Sequence, residues 1–138
     1  KQYFIKKYLY PIPCKLGPLI ANYVNSMKDV SDGLIGDLTD MLNNKYGAII
    51  NVNKIPLSVK TKKIINLKNN FRLEDLLNAG DDYGLIIISN QKNRNKIFNI
   101  ANKNNINITL IGKIISEKGI HFDSHLDMKN IKKFDHFS

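Results

Sequence analysis

The run Tyr83-Gly84-Leu85-Ile86-Ile87-Ile88-Ser89 constrains the fold most. Its apolar stretch is far too short to span a bilayer. An unbroken β-rich run of this length suits a buried strand, which needs other layers to cover it. The segments around it supply such layers. Leu19, Ile20, Tyr23, Val24 and Met27 recur at helical spacing after Gly17-Pro18. Lys28-Asp29-Val30 reads as a break, and Ser31-Asp32 as the N-cap signal of a second helix. That helix carries Leu34, Leu38, Met41 and Leu42 on one face and ends by Gly47. Ala48 to Val52 is strand-like and turns into Ile55-Pro56-Leu57. Residues 60–78 read as helical pieces interrupted at Asn69-Asn70. Gln91 to Lys103 is a polar helix anchored by Ile97, Phe98 and Ile100. Ile106 to Ile115 is a further strand, and Glu117-Lys118-Gly119 a hairpin turn into Ile120-His121-Phe122. Helices alternate with strands and hairpins intrude, which predicts an α+β domain with a mixed sheet.

With 138 residues the chain is the size of one domain and can bury a core without a staple. Residues 1–14 form an extended lead-in, in which Pro11 and Pro13 disfavour helix. Residues 15–138 form the domain proper. Those prolines also interrupt any secretory h-region. No segment is apolar over a membrane-spanning length, so no membrane partner is expected. Cys14 is the sole cysteine and has no partner for an internal disulfide, which fits a reducing, cytoplasmic setting.

Charge is distributed unevenly. Lys and Arg number 21 against 12 acids, for a net charge of +9. The lysines are spread among Asn and Ile rather than massed in one tract, so they read as solvated surface and predict no nucleic-acid partner. The acids do gather. Asp29, Asp32, Asp37 and Asp40 lie in one short run, and Glu74, Asp75, Asp81 and Asp82 in another. Acids clustered against the prevailing charge call for a cation.

In the first cluster, Asp29 and Asp32 bracket a helix start, where unpaired N–H groups carry the positive end of the helix dipole. Gly33 allows close approach to that backbone. The place suits a phosphate, provided a hard cation such as Mg²⁺ lies between it and the carboxylates. Ser31 is placed to donate to a phosphate oxygen. Asp37 and Asp40 read as a solvated helix face. In the second cluster, Asp81 and Asp82 enter a strand, where alternate side chains point opposite ways. His121, Asp123 and His125 lie close in sequence, yet no further His or Cys stands nearby, and they read as ordinary polar side chains facing water at a hairpin end.

Four segments carry a resemblance: SMKDVSDGLIGDLTDML, YGAIINVNKIPLS, LLNAGDDYGLIIIS and KKFDHF, in that order. Together with YLYPIPCKLGPLI they make the chain resemble the carboxy-terminal domain of the thiamine-monophosphate kinase family. That family's pattern is close to D-[ILV]-S-D-G-L-x-x-D-L, G-A-x-I-x-x-x-x-[LI]-P, G-G-E-D-Y-E-L and G-Y-D-H-F. The resemblance implies a three-layer α/β/α domain with a mixed sheet, like the C-terminal domain of aminoimidazole ribonucleotide synthetase. It implies transfer of the γ-phosphoryl group of ATP to thiamine monophosphate, with Mg²⁺ as cofactor. Carried over position by position, Asp29 and Asp32 would be metal ligands, Ser31 would contact ATP, and Asp81 and Phe134 would contact the thiamine substrate.

The resemblance also implies an amino-terminal nucleotide-binding domain preceding Lys1. That domain would hold most of the nucleotide pocket, further aspartates and the homodimer contact, so the chain alone would supply no catalytic residue and would not turn over. Some positions depart from the pattern. Lys28 stands where the family has an apolar residue, Cys14 for Arg, Ala79 for Gly, Asp81 for Glu and Gly84 for Glu. Two alternatives remain: a non-catalytic ligand-binding module of the same superfamily, and a basic nucleic-acid-binding domain.

Overall fold

A computed structural model of the chain describes residues 14–59, 61–63, 77 and 84–123. A short helix α1 (Leu16–Ile20) tightens into a 3-10 turn (Ala21–Tyr23) and leads to β1 (Ser26–Asp29). Then come α2 (Leu34–Leu42), β2 (Gly47–Ile50), β3 (Leu85–Ile88), α3 (Arg94–Lys103), β4 (Gly112–Ile115) and β5 (Gly119–Phe122).

β1 and β3 pair antiparallel, with Ser26 opposite Ile88 and Asp29 opposite Leu85. Val30 N–H donates to the Gly84 carbonyl at 2.9 Å and carries the ladder one step further. Side chains alternate along a strand, and β3 divides two cores accordingly. Ile86 and Ile88 pack with Val30, Leu38, Leu42, Ala48 and Ile50 on one side. Leu85 and Ile87 pack with Leu16, Ile20, Ile97 and Ala101 on the other. Thus α2 covers one face while α1 and α3 cover the opposite face. The expected three-layer α/β/α order is present, and the apolar strand is covered on both faces, with Ile86 buried and its neighbours half-buried.

A second sheet has β2 at its centre, antiparallel to β4 and parallel to β5. Ile120 and Phe122 of β5 join the core beneath α2. The expected hairpin at 117–119 is absent: β4 and β5 straddle β2 instead of pairing with each other. The connection between them arches over the start of β2. A Cβ at Gly47 would collide with the carbonyl oxygens of Glu117 and Gly119, so the crossing requires glycine there.

Other elements differ from their expected bounds. The helical spacing of residues 19–27 overruns the real helix. Leu19 is 45% exposed and Met27 lies in β1, where its sulfur packs 3.7 Å from a Cβ built on Gly17. The expected break at residues 28–30 is the end of β1 and its continuation. Helix α2 ends at Asn43 and Asn44, both left-handed, rather than at Gly47. Asparagine tolerates that conformation and closes the helix. Of the expected strand 106–115, Gly112–Ile115 pairs with β2, extended by one bond from Asn51 N–H to the Ile111 carbonyl at 2.7 Å; Ile106 and Ile108 instead pack on the α1–α3 core. Most of residues 60–78 lies outside the described residues.

No helix among the described residues is long and apolar enough to cross a membrane.

Candidate functional site

Residues 30–33 connect β1 to α2 and carry Ser31 and Asp32. The turn ends at Gly33, with φ 88° and ψ 155°, a conformation that favours glycine. Gly33 is the N-cap residue and offers no side-chain cap. The expected capping by Ser31 or Asp32 is replaced by a reversed arrangement, in which a helical side chain holds the loop. Asp37, at the end of the first turn of α2, folds back beneath it. The N–H groups of Ser31 and Asp32 donate to Asp37 Oδ2 at 2.8 and 2.9 Å. Ser31 Oγ stands 3.5 Å from Asp37 Oδ1. Asp37 N–H in turn donates to the Gly33 carbonyl at 3.0 Å, so the loop and helix start brace each other.

Asp37 is therefore not part of a solvated face: its side chain is 0% exposed. Lys28 accounts for its charge. In β1, Lys28 is registered opposite Ile86, on the face that α2 covers. Its ammonium lies 2.8 Å from Asp37 Oδ1 and 3.1 Å from Asp40 Oδ2. Asp40 is on the exposed side of this group, as expected of it, but joined to Lys28.

The electrostatics follow from these contacts. Burial by itself pushes the Asp37 carboxyl up. The Lys28 ammonium and the N–H groups of Asp32 and Ser31 outweigh burial and hold it below the usual carboxylate value. Lys28 is held above its ordinary value, chiefly by its hydrogen bond to Asp37 and despite partial desolvation.

One carboxylate oxygen each from Asp32, Asp37 and Asp40 falls within a 4.8 Å group. The Lys28 ammonium faces two members of this group, Asp37 and Asp40. Asp37 spends both oxygens on Lys28 and the loop N–H groups, so within this group the carboxylate of Asp32, on the loop itself, is the donor that fits a hard divalent cation such as Mg²⁺. Asp29 occupies the next strand position after Lys28. It is registered opposite Leu85, turned to the other face of the sheet, and exposed. The structure thus brings Ser31 and Asp32 together, whereas Asp29, at the strand end that leads into their loop, stands outside the carboxylate group of residues 32, 37 and 40. Asp81 and Phe134 lie outside the described residues. Asp123 has a backbone role: its Oδ1 accepts from Val52 N–H at 3.1 Å.

Sequence reasoning missed two participants. Asp37 carried a usable signal, an acid in the first turn directly after S-D-G. Lys28 stood out only as a departure from a pattern; its tie to α2 depends on the register of β1.

Fold and site define an α/β/α domain that presents a hydroxyl and carboxylates on a braced loop at a helix start. The sequence profile of the family described as "AIR synthase related protein, C-terminal domain" matches residues 6–124, and the chain belongs to that family. It is 41% identical over 144 aligned residues to a thiamine-monophosphate kinase of Buchnera aphidicola subsp. Schizaphis graminum, covering 98% of this chain and 43% of the relative. It is also 41% identical to the thiamine-monophosphate kinase of Buchnera aphidicola subsp. Acyrthosiphon pisum, covering 99% of this chain and 43% of that protein. Among solved structures, thiamine-monophosphate kinase from Stenotrophomonas maltophilia K279a is similar with a TM-score of 0.71 and 25% identity. That likeness covers 88% of this chain and 39% of the other. The chain therefore spans less than half the length of the proteins it matches.

Proposed function

We propose that the chain is the carboxy-terminal part of a thiamine-monophosphate kinase, which transfers the γ-phosphoryl group of ATP to thiamine monophosphate and yields thiamine diphosphate. One observation carries the choice of reaction: the 41% identity to such a kinase extends over 98% of the chain. The braced loop at the start of α2 supports it chemically.

Phosphoryl transfer between two polyanions is mainly a matter of placement and charge neutralisation. Bound Mg²⁺ supplies screening of the phosphate charges that must come together. In this reading Asp29 and Asp32 hold the metal, and the Ser31 hydroxyl donates to the nucleotide. Asp81 contacts the thiamine substrate, and Phe134 stacks on one of its rings, a contact made by the ring face alone. The chain's own residues bind and orient and abstract no proton. A preceding domain supplies most of the nucleotide pocket, further aspartates and the homodimer contact.

The test is ADP release by the protein at its natural length, in the presence and absence of thiamine monophosphate and of Mg²⁺. The expected result is release that requires both. Release independent of thiamine monophosphate would contradict the assigned acceptor. The 138-residue chain alone is expected not to turn over; robust turnover by it would refute the division of labour between the two parts.

A further inference from the structure

Resting on the kinase reading, we propose that Asp37 is a positioning residue: its buried carboxylate, clamped by Lys28, fixes the backbone of Ser31 and Asp32 and thereby sets how those two residues meet the nucleotide and its metal.

The two oxygens of Asp37 have separate tasks. Oδ2 accepts both loop N–H groups, at 2.8 and 2.9 Å. Oδ1 faces the Lys28 ammonium at 2.8 Å and the Ser31 hydroxyl at 3.5 Å. A buried carboxylate satisfied on both oxygens is a rigid point, because any shift leaves charge unpaired in a desolvated place. The contacts of this point distribute over three elements: β1 through Lys28, the loop through residues 31 and 32, and α2 through Asp37 itself. Strand, loop and helix are thus locked at one side chain. Consecutive N–H groups pinned from below leave the loop little freedom to re-aim Asp32 or Ser31. Asp37 itself is fully enclosed, so it acts through those neighbours and does not touch substrate.

A graded series tests this in the protein at its natural length. Asp37→Asn keeps one oxygen for the loop N–H groups but loses the charge, whereas Asp37→Ala keeps no acceptor. The Mg²⁺ concentration for half-maximal ADP release is expected to rise about threefold in Asp37→Asn and at least tenfold in Asp37→Ala. KM for thiamine monophosphate should stay within about twofold in both. A merely structural residue would lower the amount of active protein and leave the Mg²⁺ half-saturation point unmoved; that outcome in folded Asp37→Ala would overturn the proposal. If Asp37→Ala does not fold, the double variant Lys28→Met with Asp37→Leu removes both charges together and still lacks the acceptor, so the same Mg²⁺ shift is expected.

Hydrogen exchange gives a readout independent of catalysis. In Asp37→Ala or the double variant, the amides of Ser31 and Asp32 should exchange at least tenfold faster, while those in the β1–β3 ladder stay unchanged. Unchanged exchange at 31 and 32 would also overturn the proposal. Failure of the kinase reading appears differently, as wild-type protein with no thiamine-monophosphate-dependent ADP release and with normal protection of these two amides.

Discussion

The geometry of the loop turns on Asp37, a carboxylate that burial opposes and its neighbours stabilise. Its folded value lies below the ordinary 3.8. It therefore contributes stability that is present above that ordinary value and is lost as pH falls through the lower, folded one. Lys28 lies above its ordinary 10.5. Its contribution is complete below that value and is lost as pH rises through the raised one. Among the described residues the further charged groups beside the pair are Asp32 and Asp40, both acids. A thermal melt series should show the midpoint falling below about pH 4, and Asp37→Ala should flatten that acid limb; an acid limb identical to wild type would refute the assignment. Lys28→Met leaves the buried carboxylate with only N–H and hydroxyl donors. We expect it to cost about 2–3 kcal/mol in denaturant unfolding, less than the roughly 3–5 kcal/mol of a fully stripped buried charge. Asp32→Asn is expected to abolish kinase activity with an unchanged melt, and full activity would remove Asp32 from the metal seat. Ser31 and Asp32 were readable as a turn before a helix, which the loop at residues 30–33 is, whereas Asp29 proves to be the last residue of β1. Asp37 offered only its place in the first turn of the helix; its burial was hidden, because polarity in a sequence marks a residue as solvated unless its partner is known, and Lys28 lies on another element.

Elements whose pattern matched their burial were the readable ones. Leu85-Ile86-Ile87-Ile88 was readable as a buried strand because both of its faces meet apolar layers. Helix α2 was readable because Leu38 and Leu42 are buried on one face. The extent of α1 was not, since the apolar spacing runs on through Tyr23 and Val24 into a strand residue, Met27. The fates of β4 and β5 were also hidden, because a short turn between two strand-like runs looks like a hairpin whether or not a third strand inserts. Two substitutions separate the true core from the apparent periodicity. Ile97, 2% exposed, should lose about 2–5 kcal/mol on change to Ala. Leu19, 45% exposed, should change by no more than about 0.5 kcal/mol. Comparable losses at both positions in urea unfolding would contradict the packing described. Gly47→Ala probes the inserted strand: it forces a Cβ into two backbone carbonyls and should cost about 1–3 kcal/mol, whereas a neutral effect would mean that the 117–119 connection does not cross there.

Across the chain, a net charge of +9 coexists with an acidic loop, and the fold explains how. The strand–helix junction gathers carboxylates from 32, 37 and 40, and Lys28 neutralises the buried member. An acidic niche in a basic protein is suited to hold a divalent cation beside phosphates, and the kinase reading gives that combination a use. The chain spans 43% of the Buchnera relatives, so the site is completed only in a longer polypeptide under this account. The decisive measurement is a crystal structure of the natural-length protein with Mg²⁺ and a non-hydrolysable ATP analogue. The account predicts carboxylate oxygens of Asp29 and Asp32 at about 2.0–2.1 Å from an ion that also binds phosphate oxygen. Ordered nucleotide and metal with both side chains turned to bulk solvent would contradict it.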